Sequence, residues 1–120
     1  MPRQFEELVA SLLQTFDYTV RLGPRGRDGG IDVFAERVTD VGLELTLVQC
    51  KRYGAQKKVG EPLIKQFYNE VRDREATRGL YATTGLFTAC ALLYIDAKKY
   101  RLSGADGPRL REWIARAGGF

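Results

Sequence analysis

The chain has 120 residues, 44% of them apolar and 28% charged, with a formal net charge of +4 from 19 basic and 15 acidic side chains. That is the size and balance of one globular domain, and it excludes a disordered, collagenous or low-complexity chain. Histidine is absent, which removes Ser-His-Asp and Cys-His nucleophilic sites, HNH-type sites and every zinc site that uses imidazole. Catalysis in such a chain has to rest on carboxylates, amides, lysines and a hard metal ion. No apolar run approaches the ~18 residues of a membrane span, and the first residues read as a charged amphipathic helix rather than a secretory leader. Two cysteines, Cys50 and Cys90, fit neither a disulfide framework nor a zinc knuckle, so a reducing, cytoplasmic location is expected.

Phe5, Leu8, Val9, Leu12, Leu13 and Phe16 recur at helical spacing and predict a first helix with one apolar stripe. Tyr18, Val20 and Leu22 alternate and predict a strand. Residues 23–30, GPRGRDGG, form a loop. Residues 31–37 read as a strand with Ile31, Val33 and Ala35 on one face, followed by a turn at 39–42. The longest strand is expected at 43–52, with Leu43, Leu45 and Leu47 on its apolar side, and a basic loop follows at 54–60. Pro62 opens a second helix carrying Leu63, Ile64, Phe67, Tyr68 and Val71. A buried strand is expected at 79–84. Thr88 would cap a third helix running to Tyr100, with Ala91, Leu92, Ile95 and Tyr100 facing in and Cys90 buried. A short strand at 102–105 and a helix opened by Pro108, with Leu110, Trp113 and Ile114 inward, complete the order. An antiparallel meander followed by alternating strands and helices predicts an α/β fold. It has a mixed central sheet flanked by helices on both faces, in a single domain over residues 1–120.

The hairpin carries the argument for a site. Paired residue numbers across an antiparallel hairpin have a constant sum, here about 82. Asp32 therefore lies beside Gln49 and Lys51, which share the face of Leu43, Leu45 and Leu47 by the period of two. A polar pair that continues an apolar row is costly unless partnered. Two readings follow. Asp32 and Lys51 form a pair that fixes the hairpin, or they help build a site in which a carboxylate and an amide oxygen hold magnesium while the lysine acts on water or phosphate. On the first helix Glu6 reaches inward along the edge of the apolar stripe, whereas Glu7 faces solvent; a charge at a helix N-terminus is its simpler role. Arg25 and Arg27 in the glycine loop touch phosphate or are merely solvated, and Asp28 supports the loop or reaches the metal through water. The run holding Lys51, Arg52, Lys57 and Lys58 has no acid in it. It is either a solvated loop or a phosphate-binding rim. A second basic run, at 98–111, has the same two readings.

The segments FEELVASLLQTFDYTV, GRDGGIDVFAER, LTLVQCKRYG and RGLYATTGLFTACAL together resemble the Mrr-type catalytic domain of restriction endonucleases, within the PD-(D/E)xK nuclease superfamily. The resemblance implies a restriction-endonuclease-like fold and divalent-metal-dependent hydrolysis of double-stranded DNA, frequently with a preference for modified DNA. Asp32 matches the metal-binding aspartate and Lys51 the catalytic lysine. Gln49 stands where most of the superfamily has Asp or Glu, and the Mrr branch carries Gln there. Glu6 matches the helix glutamate that assists the metal through water, and Cys50 would offer only its backbone carbonyl. Mg2+ is the implied cofactor, with Mn2+ as a substitute. Arg25, Arg27, Arg52, Lys57 and Lys58 are the expected DNA contacts.

Members of this family often carry a separate DNA-reading domain, so the chain is expected to be part of a longer protein. A double-strand cut needs two active sites, which points to a homodimer. Two other functions fit the same residues: a non-cleaving nucleic-acid-binding module of a defence or repair protein, and a junction resolvase. Most aromatic residues sit at core spacing; Tyr53, after Lys51 and Arg52, is the exception. Thr84 supports the site or caps the next segment, and Gln66 on the second helix flanks the metal site in the family.

Overall fold

The apolar stripe of the first segment becomes the buried face of α1 (Arg3–Thr15), with Phe5, Val9, Ala10, Leu12 and Leu13 inside. The computed structural model describes residues 3–24 and 30–118. After α1 come β1 (Thr19–Leu22), β2 (Val33–Thr39), β3 (Gly42–Lys51), β4 (Lys58–Val59) and α2 (Glu61–Asp73). The remaining elements are β5 (Arg78–Thr83), β6 (Leu86–Phe87), α3 (Ala89–Ala97), β7 (Leu102–Ala105) and α4 (Gly107–Arg116). Five strands form one sheet in the order β1-β2-β3-β5-β7. The β1-β2-β3 part is an antiparallel meander, and β3, β5 and β7 run parallel. This is the expected mixed sheet.

Both faces of the sheet are covered. Phe34, Leu47, Tyr81 and Leu102 pack with Ile64, Phe67, Tyr68 and Val71 of α2 and Ala91 of α3. On the other face Val33, Ala35, Val48, Leu80, Ala82 and Ala105 meet α1 and Leu110 of α4. The central strands are buried on both sides, which explains the continuous apolar run of β5. Asp106 caps α4 by accepting from the Arg109 N–H at 3.0 Å, and Thr88 caps α3 by accepting from the Ala91 N–H at 3.1 Å.

Gly79 on β5 lies under α2. A Cβ there would stand 2.5 Å from Val71 Cγ2 and 2.9 Å from Phe67 Cε2, so the helix can approach this closely only because the side chain is missing. Gly79→Ala is expected to destabilise the domain by about 1–3 kcal/mol, the usual cost of overpacking, read as a lower midpoint in urea. An unchanged midpoint would show that α2 can move away without loss.

The hairpin pairs Val33 with Val48 and Thr39 with Gly42, within one residue of the expected register, so Asp32 comes level with Gln49. Other expectations are corrected. Ile31 does not share a face with Val33 and Ala35. It packs in the α2 layer while they pack under α1, because the ladder begins only at Val33 and the backbone turns before it. Leu43 is 62% exposed near the hairpin tip, beyond the reach of either helical layer, and Leu63 is also exposed. The third helix ends at Ala97 rather than Tyr100; Leu92 on it and Tyr100 beyond it face solvent rather than the core, and Cys90 is exposed. That segment is apolar nearly all round, so periodicity could not select its inner face. The basic loop conceals β4, which pairs in parallel with β6 as a separate two-stranded ribbon. Among the described residues, no helix is long and apolar enough to cross a membrane.

Candidate active site

In an open sheet of this kind, ligand-binding groups gather beyond the carboxyl ends of the parallel strands. Here β3 ends at Lys51 and β5 at Thr83, and the antiparallel β2 begins at the same edge, just after Asp32. The Asp32 N–H donates to the Val48 carbonyl at 2.8 Å and the Gly23 N–H donates to the Asp32 carbonyl at 2.8 Å, so the aspartate backbone is tied to both neighbouring strands. Its Oδ2 accepts from the Cys50 N–H at 2.7 Å.

The Asp32 carboxyl is pushed up from 3.8 to about 6. Burial is the main cause; the Cys50 N–H opposes it, the Glu6 carboxylate adds to it, and Lys51 offsets it in part. Glu6 lies close enough to hydrogen-bond the protonated form of Asp32. It comes from the first turn of α1, where Arg3 Nε stands 3.8 Å from its Oε1. Arg3 also donates to the Gly23 carbonyl at 2.6 Å, which fixes the start of α1 against the end of β1. Glu6 of α1, Asp32 just before β2 and Lys51 at the end of β3 thus lie at one edge, with Glu6 and Lys51 close enough to act on the Asp32 charge. Cys50 contributes no thiolate there, because burial, then Asp32 and Glu6, push its thiol well up.

Gln49 and Lys51 leave β3 on the α2 side and line a cavity of about 300 Å³ with Gly30, Leu63, Gln66, Phe67, Glu70 and Tyr81. Gly30 has φ +82°, and a Cβ on it would come 2.9 Å from Nε2 of Gln49. Only glycine suits both the backbone and the space. Gly30→Ala is therefore expected to displace the Gln49 amide and to destabilise the fold by about 1–3 kcal/mol, which a lower midpoint in urea would read.

The residues outside this edge divide. Arg52 borders a different hollow with Gln4, Phe5, Leu8 and Thr84. Lys57 rests its ammonium 4.7 Å from the centre of the Tyr53 ring, and Lys58 is exposed on β4. Arg25, Arg27 and Asp28 lie outside the described residues. The second basic run splits in two. Arg101 donates to the Ala76 carbonyl at 2.7 Å and is tied up structurally with the start of β7, whereas Arg109 and Arg111 lie on α4, where Arg109 pairs with Glu112 at 3.4 Å. Thr84 proves to be a support: its hydroxyl accepts from the Tyr53 N–H at 2.7 Å and donates to the Tyr53 carbonyl at 2.6 Å, pinning the chain just after Lys51. Sequence reasoning passed over Glu70 and gave Tyr81 to the core. The β3–β5 pairing that puts Tyr81 beside Gln49 has no local sequence signal.

Two carboxylates, one amide oxygen and one backbone carbonyl are hard donors of the kind magnesium takes. The carbonyl of Cys50 leaves β3 on the same side as its N–H, and that N–H points to Asp32. Burial, with the Glu6 carboxylate adding to it, disfavours the ionised Asp32 carboxyl, a cost that a divalent ion would relieve. Among the described residues there is no cluster of three or more Asp, Glu, Cys or His side chains suited to a metal.

The family model of the Mrr-type restriction endonuclease catalytic domain matches residues 1–114. This chain belongs to that family. Beside this Mrr-type domain stands the type IV methyl-directed restriction enzyme EcoKMrr of Escherichia coli K12, 36% identical over 115 residues, which cover 91% of the chain and 36% of that enzyme. An uncharacterised protein of Sinorhizobium fredii is 25% identical over 109 residues, 90% of the chain and 28% of its own length. The chain thus spans about a third of the length of the curated relatives it matches. The Mrr-type fold is shared with the DNA modification-dependent restriction endonuclease AspBHI (TM-score 0.76, 18% identity, 98% of this chain and 32% of that one). It is also shared with the restriction endonuclease MspJI, solved with a 27-mer oligonucleotide (TM-score 0.72, 21% identity, 93% and 27%).

Proposed function

We propose that this Mrr-type domain is a restriction-type DNA endonuclease that hydrolyses phosphodiester bonds of double-stranded DNA with the help of a divalent cation. Mg2+ is the proposed physiological ion and Mn2+ its substitute. The observation that carries the reading is the meeting of Asp32, Glu6 and Lys51 at the sheet edge, with the Asp32 carboxyl raised to about 6 by burial and by Glu6. Asp32, the side-chain oxygen of Gln49 and the carbonyl of Cys50 would hold the cation, and Glu6 would assist through water. When bound, the ion supplies Lewis-acid stabilisation of charge on the phosphate. Lys51 orients the attacking water and offsets the charge that builds on the phosphoryl oxygens. Arg25, Arg27, Arg52, Lys57 and Lys58 are the proposed contacts to the DNA backbone.

The methyl-directed activity named for EcoKMrr supports modified DNA as the preferred substrate. A separate DNA-reading domain would choose the target in the full protein, and two copies would make a double-strand cut. The free cysteines and a DNA substrate fit the cytoplasm.

The test incubates the protein with linear, methylated and branched duplexes, with and without Mg2+ or Mn2+. Cation-dependent nicking or cutting of duplex DNA is the expected result. Salt-sensitive binding without cleavage of any of the three would overturn it. The rim has its own test. The double substitution Lys57→Ala with Lys58→Ala should weaken binding similarly for all sequences and flatten the salt dependence by about two phosphate contacts, as read by anisotropy across a salt series.

A further inference from the structure

Tyr81 is only 1% exposed, yet it borders the cavity that holds Gln49 and Lys51. Phe67 and Phe87 clamp its ring edge-on, with centroids at 5.6 and 6.2 Å, so the direction of its hydroxyl is fixed. That hydroxyl is buried and makes no hydrogen bond among the described residues. A phenylalanine would fill the same space without stranding a polar group.

Gln49 is its neighbour across the sheet. The parallel β3–β5 ladder pairs Gln49 with Tyr81, and paired residues send their side chains from the same face. An amide in this position has a problem that a carboxylate does not: one end is an oxygen that accepts a cation, the other an NH2 that repels it. The nitrogen of Gln49 already lies nearer to Gly30, 2.9 Å from a Cβ built there against 3.5 Å for the oxygen. The terminal torsion of glutamine is broad, so its oxygen can swing towards a fixed donor at little cost.

We infer that Tyr81 is a positioning residue whose hydroxyl donates to Oε1 of Gln49 and holds the amide oxygen-first towards the Asp32 edge when a divalent cation binds. This rests on the reading of Gln49 as an oxygen donor to that cation. The phenol is suited to the task because its O–H has a hydrogen to give to an acceptor placed before it.

A double-mutant cycle tests this, with Mn2+ alone as the probe and its dissociation constant read from the shift in thermal midpoint. Tyr81→Phe is expected to weaken Mn2+ by about three- to tenfold in the Gln49 protein, the worth of one hydrogen bond. In the Gln49→Glu background, where either oxygen can face the cation, the same change is expected to cost less than about twofold. The cation-free midpoint of Tyr81→Phe should not fall. Equal losses in both backgrounds, or no loss in the Gln49 protein, would overturn the role of Tyr81. No saturable Mn2+ response in the unaltered protein, wild-type affinity in Gln49→Ala, or no gain in Gln49→Glu would instead overturn the reading of Gln49 beneath it.

Discussion

Lys51→Ala is expected to slow DNA cleavage by about a hundredfold to a thousandfold, the usual effect of removing one preorganised electrostatic group at about 2.7–4 kcal/mol. Duplex affinity should change by less than about threefold, because the rest of the basic rim remains. The magnitude follows from placement. Lys51 is the last residue of β3, half-buried at the mouth of the cavity, and its field reaches the Asp32 carboxylate. Its carbonyl is held at 3.2 Å by the Thr84 N–H, and Tyr53, two residues on, is held by the Thr84 hydroxyl. The backbone that aims the lysine is therefore rigid, and truncation removes charge without moving the site. Single-turnover cleavage beside equilibrium binding would measure both. Cleavage at the wild-type rate would sink the mechanism, and a parallel collapse of binding would make Lys51 a DNA anchor instead.

Asp32→Asn is expected to abolish cleavage and yet make the cation-free protein more stable. The sign follows from the raised carboxyl. The folded state holds the Asp32 proton more tightly than the unfolded state, so stability is fully present below about pH 4 and declines as pH rises from 3.8 through about 6. At neutral pH the charged carboxylate is a net cost, because burial and Glu6 outweigh the help from the Cys50 N–H and Lys51. A shift of this size would be worth ~3 kcal/mol for a fully buried group; partial solvation reduces it to about 1–2 kcal/mol. Asparagine keeps an oxygen for the Cys50 N–H and gains an NH2 to offer Glu6. The thermal midpoint should therefore rise by roughly 4 °C or more at pH 7, with the gap closing as pH falls from about 6 to 3.8. Mg2+ should stabilise the unaltered protein and leave the variant unmoved. A variant less stable than its parent at pH 7 would show that Asp32 is there to hold the hairpin together.

That second outcome is the plain alternative the sequence leaves open, and the structure bears on it through Glu6. A structural Asp–Lys pair would have no use for a second carboxylate beside it. Glu6 comes from a different element and pushes the Asp32 carboxyl further up. Tolerating that repulsion is typical of sites that await a cation.

Much of the site was legible before any coordinates. The period of two along residues 43–52 and the short turn at 39–42 fix which residues of two adjacent strands can meet, because hairpin pairing is local and its sum is constant. The stripe in the first helix sorted Glu6 from Glu7 by the same kind of arithmetic. Where the sequence misled, the cause was a missing contrast or a contact between distant segments. The α3 segment is apolar on all sides, so its periodicity could not tell that Leu92 and Cys90 face out. Strands of two residues, such as β4 and β6, are too short to show a period, and only their mutual pairing defines them.

Local spacing by itself thus determined the longer elements, the hairpin and the acid–amide–lysine row, since helices and tight hairpins write their geometry into neighbouring residues. The tertiary structure alone decided which layer each face of the sheet meets, that Glu6 of α1 reaches Asp32, and that Tyr81 stands beside Gln49. Those meetings join residues 26 and 32 positions apart, and their order is set by how α1 and β5 dock on β3, a choice made by burial over the whole core rather than by any short run of sequence.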